Sequence, residues 1–218
     1  MEETKKLSCI DCNVKKCNAK QNIENNKPYP GFCVSHNMDL KDRQRALDTY
    51  LGDEKDLKIM RASAEIEHDF YCQATRVEET IRWAKKLGAK KIGIASCVGL
   101  LKERHLLAGL LREYGFEVYG VGCKIGEVPK TEVGIPERCE EVGVHMCNPI
   151  LQAQMLNKEK TDINIVMGLC VGHDSMFYKY AEGLTTTLVV KDRVLGHNPV
   201  AALYAADGYY HNKLCPQD

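Results

Sequence analysis

The chain has 218 residues, enough for one domain and an appendage. Thirty Lys and Arg balance thirty Asp and Glu, so the formal net charge is zero. That balance argues against a nucleic-acid surface or a polybasic membrane anchor, since both need concentrated positive charge. Hydrophobic residues make up 44% of the sequence, enough for a core. No apolar run approaches about 18 residues, so no membrane-spanning helix is expected. The opening Met1–Lys6 stretch carries no apolar signal segment, and the expected location is the cytoplasm.

Residues 1–37 are polar and aperiodic, with Asn18, Asn22, Asn25 and Asn26 followed by Pro28-Tyr29-Pro30-Gly31. Such a segment buries too little apolar surface to fold unaided. It carries Cys9, Cys12, Cys17 and Cys33, and a bound metal would supply the missing stabilisation. The remainder, 38–218, reads as a separate domain. Leu40, Leu47 and Leu51 mark a helix closed by Gly52. A second helical stretch, about 54–87, places Leu57, Met60, Phe70, Val77 and Ile81 near a 3.6-residue period, with Gly88 as its stop. Cys72 within it reads as a small buried hydrophobe.

From there the pattern alternates. Lys91–Ser96 reads as a buried strand, 100–114 as a helix, and Phe116–Val121 as the next strand. After a Pro- and Gly-punctuated stretch, Asn148-Pro149 opens a helix with a cap residue and Pro at its first position. Ile163–Met167 and Thr185–Val190 are further strands, and Asn198-Pro199 starts a last helix through Ala206. This order predicts an α/β fold: an open, mostly parallel, doubly wound (Rossmann-like) sheet with a helical lead-in and an N-terminal cysteine-rich segment.

Eleven cysteines in an expected reducing compartment point to metal ligands or reactive thiols rather than disulfides. Cys97, Cys123 and Cys170 each end a predicted strand, and Cys147 directly precedes a helix start. Their spacings of 26, 24 and 23 residues are each about one strand-plus-helix unit. Open parallel sheets bind ligands outside the carboxyl ends of their strands, so these thiols are candidate cofactor ligands on one edge. The plainer alternative is that strand-end cysteines are merely small buried residues.

The N-terminal set runs Cys9-x2-Cys12-x4-Cys17-x15-Cys33, four candidate metal ligands. Tetrahedral zinc and a four-iron, four-sulfur (4Fe-4S) cluster both take four thiolates. Cys33-x2-His36 admits a zinc set of three cysteines and one histidine that leaves Cys17 spare. The paired knuckles of zinc ribbons are absent, which favours iron–sulfur, with zinc as the alternative at this site.

Gly168-Leu169-Cys170-Val171-Gly172 has the form of a nucleophile elbow, with His173 and Asp174 following and Asp192 and His197 downstream. Ala95-Ser96-Cys97-Val98-Gly99 is a weaker echo, and repetition fits paired ligands better than a single nucleophile. His173 and His197 fall at predicted turns on the thiol-bearing edge and are candidate proton carriers; ordinary turn hydrogen bonding is the alternative for both. Gly120-x-Gly122 resembles a dinucleotide fingerprint, but Pro129 and Pro136 follow where a helix would have to begin.

Taken in order, Cys97-Val98-Gly99-Leu100, Cys123-Lys124-x-Gly126, Met146–Ile150, Gly168–Asp174 and Lys191–Pro199 resemble a microbial family of uncharacterised metal-binding proteins, a cysteine-rich domain of unknown function. The resemblance implies metal binding and carries no established substrate. The expected function is a metalloprotein with an N-terminal four-cysteine centre and a second thiolate centre at the sheet edge. Its chemistry would be redox or cluster-based Lewis-acid work such as desulfurisation, with an electron-transfer partner or a small sulfur-containing substrate. The alternatives are a cysteine-nucleophile enzyme using Cys170 and a non-catalytic, zinc-stabilised binding module.

Overall fold

A computed structural model describes residues 6–14, 17 and 28–215. Met1–Lys5 and most of the asparagine-rich stretch read as aperiodic lie outside the described residues. The chain divides into two compact units, 1–61 and 62–218, a boundary beyond the 37/38 division read from the sequence. Among the described residues no helix is long and apolar enough to cross a membrane.

In the first unit, a short 3-10 turn at Cys9–Asp11 is followed by helices α1 (Val34–Asn37) and α2 (Leu40–Gly52). The Asp39 side chain caps α2 by accepting from the Lys41 N–H. None of the described residues 6–61 is buried.

The long helix expected over 54–87 is two helices, α3 (Glu54–Asp69) and α4 (Arg76–Leu87). A turn separates them, and Thr75 with Glu78 forms a capping box that starts α4 afresh. Cys72 lies in that turn, exposed and with φ +56°, so the expectation of a buried hydrophobe there is corrected. Gly88, φ +78°, closes α4 in the left-handed conformation read from the sequence.

The second unit is an α/β layer structure. Strands β1 (Lys91–Ser96), β2 (Glu117–Gly122), β3 (Ile163–Met167) and β4 (Leu184–Val189) form one sheet in the order β2-β1-β3-β4. Every pairing is parallel. Between the strands run α5 (Leu101–Glu113), α6 (Pro149–Lys158) and α7 (His173–Tyr180). Two short helices, α8 (Val200–Tyr204) and α9 (His211–Leu214), end the chain. Pro199 rather than Asn198 occupies the cap position of α8, and that helix stops at Tyr204, short of Ala206.

Side chains alternate across the strands, so one strand feeds two cores. Ile92, Ile94, Ile163 and Ile165 pack with Ile81 and Ala84 of α4 and Leu107 and Leu111 of α5. Ala95, Val121 and Val166 face the other way, against Ala153 and Leu156 of α6 and Phe177 of α7. Helices therefore cover both faces of the sheet, as a doubly wound fold requires. The chain leaves β1 toward β2 and then returns past β1 to β3. This reversal puts the topological switch point at the carboxyl ends of β1 and β3.

Candidate thiolate site

The strand register builds the site. Ser96, the last residue of β1, pairs with Gly122 of β2 and Met167 of β3. The next residues along, Cys97 and Cys123, leave neighbouring strands at the same level. The Cys97 N–H donates to the Met167 carbonyl at 3.1 Å, extending the ladder one step. Cys147 arrives from the loop before α6. Its segment is fastened by the Asn148 N–H on the Cys123 carbonyl at 2.8 Å and the Met146 N–H on the Val128 carbonyl at 2.9 Å. Cys97 and Cys123 are buried, at 9% and 3% exposure, whereas Cys147 and Cys170 are half-buried.

The cysteines pack together: Cys97 and Cys123 belong to one buried cluster, Cys147 packs against it, and His173 at the start of α7 is near enough to Cys147 to act on it electrostatically. Backbone donors reach two of the sulfurs: the Val98 N–H points at the Cys123 sulfur and the Gly99 N–H at the Cys97 sulfur, each at 3.4 Å. A Cβ placed on Gly99 would touch both the Cys97 sulfur and the Lys191 ammonium, which locates that cation beside the thiol.

These contacts separate the thiols electrostatically. The Cys123 hydrogen bond brings Cys97 down to about 5 against the cost of burial, helped by the Gly99 N–H and Lys191. Cys147 is lowered to about 4, chiefly by Cys123 and then by His173. Cys123 is pushed up, because its proton is the one donated to Cys147 and Cys97. His173 is raised by its hydrogen bond to Cys147. These contacts favour the charged form at the outer sulfurs and the neutral thiol at the middle one.

Cys170 sits apart from that cluster, two residues before the Gly172 cap of α7. The Arg193 Nη2 donates to its sulfur at 3.1 Å. Arg193 is raised first by Cys170 and further by the charges of Cys97 and Cys147. One exposed guanidinium therefore senses three of the four predicted rim cysteines. His197 has a different part. Its backbone N–H donates to the Asp192 carbonyl at 2.9 Å, and its Nδ1 accepts from the Asp192 N–H at 3.1 Å, closing a turn with φ +67°. Its hydrogen bonds are those of a turn residue.

Three residues that hold the site were not singled out from the sequence. Lys191 and Arg193 follow the end of β4, so the strand-end argument used for the cysteines also applied to them. Gln152 is fully buried on α6, and its Nε2 donates to the Ser96 and Val121 carbonyls, the strand ends that launch Cys97 and Cys123. No local pattern marks such a residue.

The N-terminal cysteines form their own constellation. Cys9, Cys12, Cys17 and Cys33 all line one cavity of about 310 Å³ within the first unit. His36 is absent from that lining, and its ring stacks on Tyr29 with centroids 3.9 Å apart. Among the described residues, no three His, Cys, Asp or Glu side chains already stand in a metal-coordinating array.

A family model described as a protein of unknown function, DUF1847, matches residues 33–188. A relative from Methanocaldococcus jannaschii, the uncharacterized protein MJ0455, is 40% identical over 208 residues, covering 95% of this chain and 98% of its own. The chain belongs to the DUF1847 family. The matched DUF1847 segment contains Cys33, Cys97, Cys123, Cys147, Cys170 and His173 and ends before Lys191 and Arg193.

Proposed function

We propose that this chain is a thiolate metalloprotein with two centres: one on Cys9, Cys12, Cys17 and Cys33, and a working one on Cys97, Cys123, Cys147 and Cys170. The observation that supports the reading is the gathering of Cys97 and Cys147 about Cys123 at the carboxyl edge of the sheet, with Cys170 nearby on the same edge and held by Arg193. Soft thiolate donors suit zinc or an iron–sulfur cluster. Lys191 and Arg193 offset the negative charge that such a ligand set carries.

An iron–sulfur cluster would supply electron transfer, or Lewis-acid activation of a small sulfur-containing substrate such as desulfurisation requires. Arg193 would orient an anionic group, and His173 would hold a proton at the Cys147 sulfur. The Cys170-nucleophile alternative has less support, because the Cys170 sulfur pairs with a guanidinium while the site's imidazole pairs with Cys147.

Anaerobic purification with iron, sulfide and zinc counts separates these readings. The expected result is bound metal that falls in Cys123→Ser and, independently, in Cys12→Ser. A protein that takes up neither iron nor zinc, or rim variants with unaltered metal content, removes the working centre.

A further inference from the structure

We infer that Cys147 and Cys123 form a thiol–disulfide exchange pair acting on small-molecule disulfides when no metal occupies the rim. This activity goes beyond the metal reading and does not rest on it. Three observations support it.

The first is the difference in access. Cys147 is half-buried and reachable, whereas Cys123 is 3% exposed behind it. Attack on an incoming disulfide therefore falls to Cys147, and Cys123 meets only what Cys147 has already captured. The second is the company Cys147 keeps. It contacts the His173 imidazole and directly precedes the Asn148 cap of the ten-residue helix α6. Lys124 is anchored beside it, its Nζ donating to the His145 carbonyl at 2.5 Å. The third is the backbone tie. The Asn148 N–H on the Cys123 carbonyl brings the two cysteine-bearing segments alongside each other, and a bridge demands that approach. Cys147 packs against the buried cluster that holds Cys123.

The step balances as follows. The Cys147 thiolate attacks one sulfur of a disulfide RSSR, forming a Cys147–SR mixed disulfide and releasing RS⁻. Cys123 then gives its proton to the released RS⁻, making RSH, and attacks the Cys147 sulfur as the thiolate, and the second RS⁻ departs. Two protein thiols are oxidised to one internal disulfide, and one RSSR is reduced to two thiol equivalents. Cys97 remains reduced behind the pair, fixed by the Gly99 N–H and Lys191.

The test uses the full chain, as purified and after chelator treatment, incubated with hydroxyethyl disulfide, quenched with acid and mapped by mass spectrometry. In the chelator-treated protein a Cys123–Cys147 bridge is expected. Cys123→Ser should stop at a mixed disulfide on Cys147, and Cys147→Ser should react about tenfold slower or less. Cys72→Ser, in an exposed turn, should change nothing. A stable mixed disulfide on Cys147 in the unaltered chain, a Cys147 bridge to a cysteine other than Cys123, or an unaffected rate of rim oxidation in Cys147→Ser overturns the proposal. Cys147→Ser alters a half-buried position, so that arm stands even if the buried Cys123 variant misfolds. Protection in the as-purified sample reports on metal occupancy alone, which keeps the two readings separable.

Discussion

The side-chain amide of Gln152 donates to the Val121 carbonyl at 2.7 Å while also reaching the Ser96 carbonyl at 3.2 Å. One buried amide on α6 thus clamps the ends of two strands, one and two residues before the thiols they deliver. Gln152→Leu keeps similar bulk and leaves both carbonyls without that donor. Stranding buried acceptors costs about 1–3 kcal/mol, so a lower melting temperature is expected. The same variant should raise the alkylation rate of Cys123 under native conditions, because its distance from Cys97 is no longer set. Thermal denaturation and mass-resolved alkylation measure the two effects. A variant that is destabilised with unchanged thiol reactivity would make Gln152 a packing residue and nothing more.

Cys147 is lowered to about 4 by Cys123 and His173. Its alkylation rate should therefore stay flat as pH falls from 8 to about 5 and drop only near 4, whereas an ordinary cysteine loses rate below about 8.5. The stability signs differ between the partners. The lowered Cys147 contributes most above the ordinary thiol value, and its contribution is lost as pH falls through about 4. The raised His173 contributes fully below about 6.5, and its contribution is lost as pH rises through its folded value. His173→Gln should accordingly move the Cys147 profile to higher pH and destabilise most on the acid side of neutrality. An unmoved profile in that variant would detach His173 from the thiol.

The parts legible in the sequence were those governed by local periodicity. The buried runs Lys91–Ser96 and Ile163–Met167 are strands between the residues expected, because a short apolar run flanked by helices has few other uses. Strand ends then dictate which sheet edge carries Cys97, Cys123 and Cys170. What periodicity does not carry is direction within a turn. Cys97 and Cys123 face each other, but Cys170, two residues beyond the positive-φ Gly168, meets Arg193 instead. The break between α3 and α4 was hidden for a related reason: Phe70 and Ala74 continue the apolar period through a turn, and only the Thr75–Glu78 capping box marks a new start.

The two glycines flanking Cys170 separate backbone strain from crowding. Both have positive φ, +69° at Gly168 and +82° at Gly172. A Cβ on Gly168 would come within 2.3 Å of Leu100 Cδ1, whereas one on Gly172 meets nothing within 4 Å. Gly172→Ala should therefore cost only backbone strain, about 1–3 kcal/mol at φ +82° and ψ −32°. Gly168→Ala adds overpacking of about 1–3 kcal/mol against buried Leu100, while Lys191 Cε, 3.5 Å from the same point, stays in ordinary contact. Chemical denaturation of the pair decides it. Equal losses would show that the Leu100 side of the turn yields freely.

The N-terminal unit offers the sharpest dependence on metal. None of its described residues is buried, and α1 and α2 bury no side chain, so hydrophobic burial gives it little hold. Its four cysteines nevertheless line one cavity. The second unit has two apolar cores of its own around the sheet. Metal removal should therefore act unevenly along the chain. Chelator treatment is expected to open residues before 62 to limited proteolysis while a fragment containing the sheet persists, and Cys12→Ser should imitate it without chelator. Circular dichroism should lose helical signal without losing the main cooperative transition, since structural thiolate sites contribute their binding free energy directly to folding. If chelation leaves the proteolytic pattern of the full chain unaltered, the N-terminal cysteines do not stabilise their unit through a metal.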